Sequence, residues 1–198
     1  MNEFLRKDCT TAEKTVEQTE SDDKNEELSP FKVITTLFIV ALLTGLFSHF
    51  VAQRTVVVGE SMENTLHDGE NLVSDRLTYR FRDPQRFEIV IVPIEAEGNQ
   101  YIIKRVIGLP NEHIRIDDNG VIYINGSPLE EHYGKETILP ENTGLAGGEG
   151  ITLGEDEYFL MGDNRNHSYD SRGLGGISRN LIEGRVVFRL FKNNGKIE

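Results

Sequence analysis

Ser61, in Val58-Gly59-Glu60-Ser61-Met62, and Lys104, in Tyr101-Ile102-Ile103-Lys104-Arg105-Val106-Ile107-Gly108, are the two side chains whose settings suggest chemistry. The second run is rich in β-branched residues and lies between Gly98 and Gly108, the pattern of a strand buried on both faces. Along such a strand Lys104 shares its face with Ile102 and Val106. Burying an ammonium among apolar neighbours lowers its pKa toward neutrality, and a neutral amine acts as a general base near pH 7. Taken alone, the segment equally fits a strand-edge lysine whose stem is buried and whose amine reaches water. Ser61 follows the apolar strand Thr55-Val56-Val57-Val58 in a turn where Gly59 permits close approach of another backbone. By itself it also reads as an ordinary turn serine. Together the two are a nucleophile and its base, the pair needed to cut an amide bond.

A third segment shifts the balance. Met161 to Arg172 holds two aspartates, two arginines and two serines in one short connection after the strand Tyr158-Phe159-Leu160-Met161. That is more hydrogen-bonding capacity than a simple turn uses, and loops of this kind commonly support a site.

In this order, the three segments resemble those of bacterial type I signal peptidases, membrane-anchored serine proteases with a Ser/Lys dyad. Gly59-Glu60-Ser61-Met62 with Thr65-Leu66 is similar to the nucleophile motif, Lys104 to Pro110 to the lysine motif, and Gly162-Asp163-Asn164-Arg165 with Ser168, Asp170, Ser171 and Arg172 to the last motif. The resemblance runs from about Val33 to Leu190. It departs at Asn64, where the family usually has proline, and at His167, where asparagine is more frequent. Asparagine tolerates turns but lacks the fixed φ of proline, so a looser turn is expected after Ser61.

Neutral Lys104 would take the Ser61 Oγ proton as the hydroxyl attacks the scissile carbonyl, then protonate the departing amine. The Ser61 N–H is the evident oxyanion donor, with the Gly59 N–H or a rearranged loop as the second. The resemblance implies that Ser168 orients the Lys104 amine. Asp163, Asp170, Arg105 and Arg172 are expected to form ion pairs holding the last loop against the lysine strand, and Met62 is a candidate substrate-pocket wall. His167 and Asp170 also allow a Ser/His/Asp triad, which would leave Lys104 unexplained.

Residues 31–52 read as a transmembrane helix. From Val33 to Ala52 the only ionisable side chain is His49, and twenty such residues cross about 30 Å of hydrocarbon. A cleaved leader is the competing reading, but the stretch follows a long acidic tail and ends without a good small-x-small site. Residues 1–30 carry nine acidic and four basic side chains and read as disordered. The flanking charges, Lys32 and Arg54, are nearly balanced; the resemblance implies a bacterial cell membrane protein with a cytoplasmic N-terminus and residues 53–198 as the catalytic domain outside. Nine extended residues from Ala52 to Ser61 reach at most about 30 Å, which keeps the nucleophile near the bilayer.

Beyond the anchor, Asn71 to Ser74, Phe87 to Val92, Ile114 to Ile116, Val121 to Ile124 and Arg185 to Leu190 all read as strands. Asp117-Asp118-Asn119-Gly120 makes a hairpin turn, and Gly144 to Gly150 reads as a flexible loop. The expected fold is mostly β, a coiled antiparallel sheet as the family implies. The net charge of −12 argues against nucleic acid. Cys9 is the only cysteine, so the outer domain has no disulfide. The histidines have no metal-ligand spacing, and no metal or cofactor is implied. The implied partners are preproteins cut after a small-x-small site, the lipid bilayer and the protein-export machinery nearby. A self-cleaving Ser/Lys protease and a silent membrane-held binding protein remain as alternatives.

Overall fold

The computed structural model describes residues 29–94 and 100–191. Nearly all of the acidic tail, Cys9 included, therefore lies outside the described residues. The chain forms two compact units, one up to Thr44 and one from Gly45 onward.

The first helix, α1, spans Pro30–Val51. Its side chains are described as far as Gly45, and all of these are exposed. Thr35, Thr36 and Thr44 turn their hydroxyls back onto the carbonyls of Phe31, Lys32 and Val40, at 2.8, 2.9 and 2.7 Å, which satisfies them within the helix. Among the described residues no helix is long and apolar enough to cross a membrane.

Among the described residues eleven strands follow: β1 (Ala52–Val56), β2 (Asn71–Asp75), β3 (Ile89–Ile94), β4 (Gln100–Gly108), β5 (His113–Ile116), β6 (Ile122–Ile124), β7 (Ser127–Pro128), β8 (Ile151–Thr152), β9 (Glu157–Met161), β10 (Ile177–Ser178) and β11 (Gly184–Phe191). They form a seven-stranded sheet in the order β1-β2-β11-β3-β4-β9-β10 and a four-stranded sheet β7-β6-β5-β8. Every pairing is antiparallel, in agreement with the mostly-β expectation. One helical turn, α2 (Ser171–Leu174), carries the end of the last motif.

The sheet order places β4 between β3 and β9. From Ile103 to Ile107 every residue of β4 is buried, as its β-branched run predicts for a strand covered on both faces. Register then carries the site. Val90 of β3 stands opposite Lys104, and Met161 of β9 stands opposite Arg105, so the loop leaving β9 begins beside the lysine. Where β4 ends, a Cβ added to Gly108 would lie only 2.7 Å from Ile114 Cδ1 and 2.8 Å from Phe159 Cβ, so only glycine fits, and the strand register shifts there.

Two expectations change. The strand before Ser61 ends at Val56, not Val58, because Val57 turns inward and exchanges hydrogen bonds with Glu70 and Gly69 across the base of a loop. The glycine-rich run from Gly144 to Gly150 is not a free loop. Ala146 is fully buried in the core with Ile107, Ile114 and Phe159, and a Cβ on Gly144 would collide with the Arg172 backbone. Its glycines serve close packing as well as turning.

Candidate active site

The turn that carries Ser61 hangs from the core. Residues 57–70 leave β1 and return to β2; Val57 N–H donates to Glu70 O and Gly69 N–H to Val57 O, at 2.9 and 3.0 Å. Met62 and Leu66, at 1% and 3% exposure, pack with Val57, Leu72, Ile91 and Ile103. Each such buried side chain contributes roughly 1.5–3 kcal/mol. Met62, expected at a pocket wall, is thus a core residue that anchors the turn from beneath. Asn64 adopts φ +89°, left-handed backbone that proline cannot reach; its side chain donates to Tyr133 O at 3.3 Å.

Ser61 rides on this turn and Lys104 meets it from β4. Lys104 Nζ lies 2.6 Å from Ser61 Oγ, within hydrogen-bond reach for proton transfer. The lysine is 3% exposed. Burial, its largest influence, lowers its pKa from 10.5 to about 8; the carboxylates of Asp170 and Asp163 pull upward and the Arg172 guanidinium pushes further down. An appreciable fraction of Lys104 is therefore neutral near pH 7.

The loop after β9 closes around the pair. Gly162 is flanked by the Ser61 carbonyl and the Ser168 side chain, so closely that no Cβ fits. Asn164 N–H donates to Ser61 O at 3.0 Å, and its amide to Glu60 O at 3.1 Å. Arg105 of β4 reaches Asp163 with Nε and Nη2, at 2.9 and 2.6 Å, while Thr65 Oγ1 donates to the same carboxylate. This pair, with both partners almost fully buried, ties the lysine strand, the last loop and the Ser61 turn together. Asp170 and Arg172 pair within the loop instead, at 2.9 and 2.8 Å. Arg172 also donates to Asn142 O. Burial works to raise the pKa of Asp170, but the bonds and charge of Arg172, with the Gly162 N–H, hold it below the ordinary carboxylate value.

Two further expectations meet a different arrangement. The bond expected from Ser168 Oγ to Lys104 is not formed among the described residues; the buried hydroxyl sits beside Gly162 and within the influence of the Asp170 carboxylate. The Gly59 N–H is occupied by Asp68 Oδ1 at 2.8 Å. The Ser61 N–H has no partner among the described residues and is free to receive an oxyanion. His167 is exposed, and Asp170 is taken by Arg172 and Gly162, so no histidine relay to Ser61 forms. No three His, Cys, Asp or Glu side chains converge on a metal position among the described residues.

Beside the turn, Gln53, Arg54, Thr55, Val56, Val58, Arg76 and Tyr101 line a groove of about 410 Å³. It runs along β1, an edge strand of the large sheet. Sequence reasoning missed the groove, and it missed Tyr133, whose ring lies 3.7 Å from the Arg105 guanidinium; neither leaves a local signal.

Residues 31–191 match the family described as signal peptidase, peptidase S26. The chain is 35% identical over 186 residues to signal peptidase I of Bacillus licheniformis, covering 89% of this chain and 96% of that one. It is 37% identical over 163 residues to signal peptidase I T of Bacillus subtilis (strain 168), covering 80% and 83%. A solved signal peptidase I from Enterococcus faecalis V583 is 33% identical, with a TM-score of 0.43, covering 54% of this chain and 98% of that one. The motifs around Ser61, Lys104 and Asp163 fall inside the matched region, and the chain belongs to the signal peptidase family, peptidase S26.

Proposed function

We propose that this signal peptidase removes the signal peptides of exported preproteins, with Ser61 as nucleophile and Lys104 as its base. The observation that carries the assignment is the 2.6 Å contact between Ser61 Oγ and a buried lysine whose pKa lies at about 8. Neutral Nζ accepts the Oγ proton as Oγ bonds to the scissile carbonyl carbon. The oxyanion is received by the Ser61 N–H, and removing one such donor costs roughly 10²-fold to 10³-fold in rate. The C–N bond then breaks, and the Lys104 ammonium returns its proton to the leaving amine. Water, deprotonated by the same lysine, releases the acyl group from Ser61.

The substrate enters as an extended strand along the free edge of β1, its alternate small side chains in the groove by Val56, Val58 and Tyr101. The helix α1 is the membrane anchor, with the tail in the cytoplasm and the catalytic domain outside, near the export machinery. Supporting this are its apolar side chains, such as Ile34, Leu37, Phe38 and Leu43, exposed around the helix, and its internally satisfied threonines.

Incubating the detergent-solubilised chain with a preprotein tests the assignment. Cleavage after a small-x-small site, abolished by Ser61→Ala and by Lys104→Ala, is the expected outcome. A folded wild type that leaves several preproteins intact would instead mark a binding protein of the same fold, and cutting confined to its own chain a self-cleaving protease.

A further inference from the structure

The segment from Glu131 to Leu139 touches all three parts of the site. Glu131 receives both Nη atoms of the buried Arg165, at 2.5 and 2.6 Å. Lys135 N–H donates to Asp163 O at 2.9 Å, and Lys135 Nζ lies 3.5 Å from Glu63 Oε2. Asn166 bonds the segment twice, to Thr137 O and from Leu139 N, each at 3.0 Å. At the centre is Tyr133. Its ring meets the Arg105 guanidinium at 3.7 Å and the Phe87 ring at 5.5 Å, while its carbonyl accepts from Asn64.

Two strained residues surround this tyrosine. Asn64 has φ +89° and Phe87 φ +72°, conformations that non-glycine residues keep only where their surroundings hold them. Phe87 O accepts from Arg105 Nη1 at 2.8 Å. Arg105 is therefore held by the Phe87 carbonyl, the Tyr133 ring and Asp163, and Asn64 is held by the Tyr133 carbonyl. Both holds end three residues or fewer from the dyad.

We propose that Tyr133 is a positioning residue: its ring supports Arg105 beside Lys104, and its carbonyl pins Asn64 beyond Ser61, so that the segment carrying it fixes the nucleophile against its base. This rests on the reading of Ser61 and Lys104 as the dyad. Displacing a reacting group by about 1 Å costs on the order of 10²-fold, so releasing one of these holds lowers kcat while leaving the β1 groove, and with it KM, in place.

The test compares the full chain in detergent with Tyr133→Ala, Tyr133→Phe, Asn64→Gly and the Tyr133→Ala/Asn64→Gly double variant, on one preprotein. Asn64→Gly keeps the left-handed backbone and removes only the amide. Tyr133→Ala and Asn64→Gly are each expected to lower kcat about 10-fold to 100-fold with KM within about twofold. Tyr133→Phe, which retains the ring, restores the rate. Tyr133→Ala removes the ring and leaves the carbonyl, and Asn64→Gly removes the amide, so the double variant, lacking both holds, loses more than either single variant. Thermal melts report the folded fraction. Should Tyr133→Ala not fold, Asn64→Gly decides alone. Wild-type kcat in the folded variants, losses that merely follow the folded fraction, or a loss carried by KM would overturn the proposal. Ser61→Ala measured alongside separates the premises: cleavage persisting there refutes the dyad on which the proposal rests, whereas cleavage lost there but kept in Tyr133→Ala and Asn64→Gly refutes the positioning alone.

Discussion

Replacing Lys104 with methionine is expected to abolish cleavage and, at neutral pH, to stabilise the protein. The lysine is 3% exposed and its pKa falls from 10.5 to about 8, chiefly through burial. A displacement of that size is worth about 3 kcal/mol at 1.36 kcal/mol per unit. Well below pH 8 the group is charged in both states, and the folded protein bears nearly the whole cost of a buried ammonium. Between pH 8 and 10.5 the unfolded chain binds more protons, so stability rises with pH. Above 10.5 both states are neutral and the cost is gone. Methionine has similar length and no charge, so Lys104→Met should be more stable than wild type by about 3 kcal/mol at pH 7. Its advantage should shrink through the window and vanish above it. The same displacement sets the rate: about one-tenth of Lys104 is neutral at pH 7, some 300-fold more than for an unshifted lysine, and kcat/KM should rise about tenfold per pH unit up to about 8. Urea denaturation of both proteins from pH 7 to 10.5, beside a pH–rate profile of the wild type, measures both effects. A variant no more stable than wild type at pH 7, or an advantage indifferent to pH, would refute the reasoning.

Two substitutions probe the turn and the loop. Asn64→Pro, although it restores the residue usual in the family, should slow cleavage at least tenfold and lower stability by about 1–3 kcal/mol, because φ +89° is closed to a pyrrolidine ring; urea midpoints and initial rates check it. Gly162→Ala should cost about 10²-fold in kcat by driving a methyl group between the Ser61 carbonyl and Ser168, an effect that single-turnover cleavage resolves from substrate binding.

Where the chain runs straight, its sequence shows what the structure does. The β-branched run around Lys104 becomes β4, buried on both faces, and the Asp117 to Gly120 turn closes the β5–β6 hairpin with Gly120 N–H on Asp117 O. Periodicity reports faces, and a face is a property of neighbours in sequence. Contacts between distant segments leave no period. That Arg105 would choose Asp163, 58 residues away, while Arg172 would fold back on Asp170, two residues away, depends on the β4–β9 register. The glycines from Gly144 to Gly150 suggested freedom because composition does not say whether a missing Cβ is needed for turning or for packing. Gly59 suggested an oxyanion donor because nothing local shows that Asp68, nine residues on, takes its N–H.

The ion pairs have an electrostatic consequence beyond holding the loop in place. Two carboxylates, Asp170 and Asp163, act on Lys104, and each favours the ammonium that must be avoided. Left bare, they would return the lysine toward its ordinary pKa and leave little free base near neutral pH. Each is instead matched by a buried guanidinium, Arg172 for Asp170 and Arg105 for Asp163, and Arg172 itself pushes the lysine down. An arginine keeps its charge at any pH the enzyme meets, so this neutralisation does not fade as Lys104 titrates. With the carboxylates answered, burial prevails, and the strand that buries Lys104 is what lowers its pKa toward neutrality.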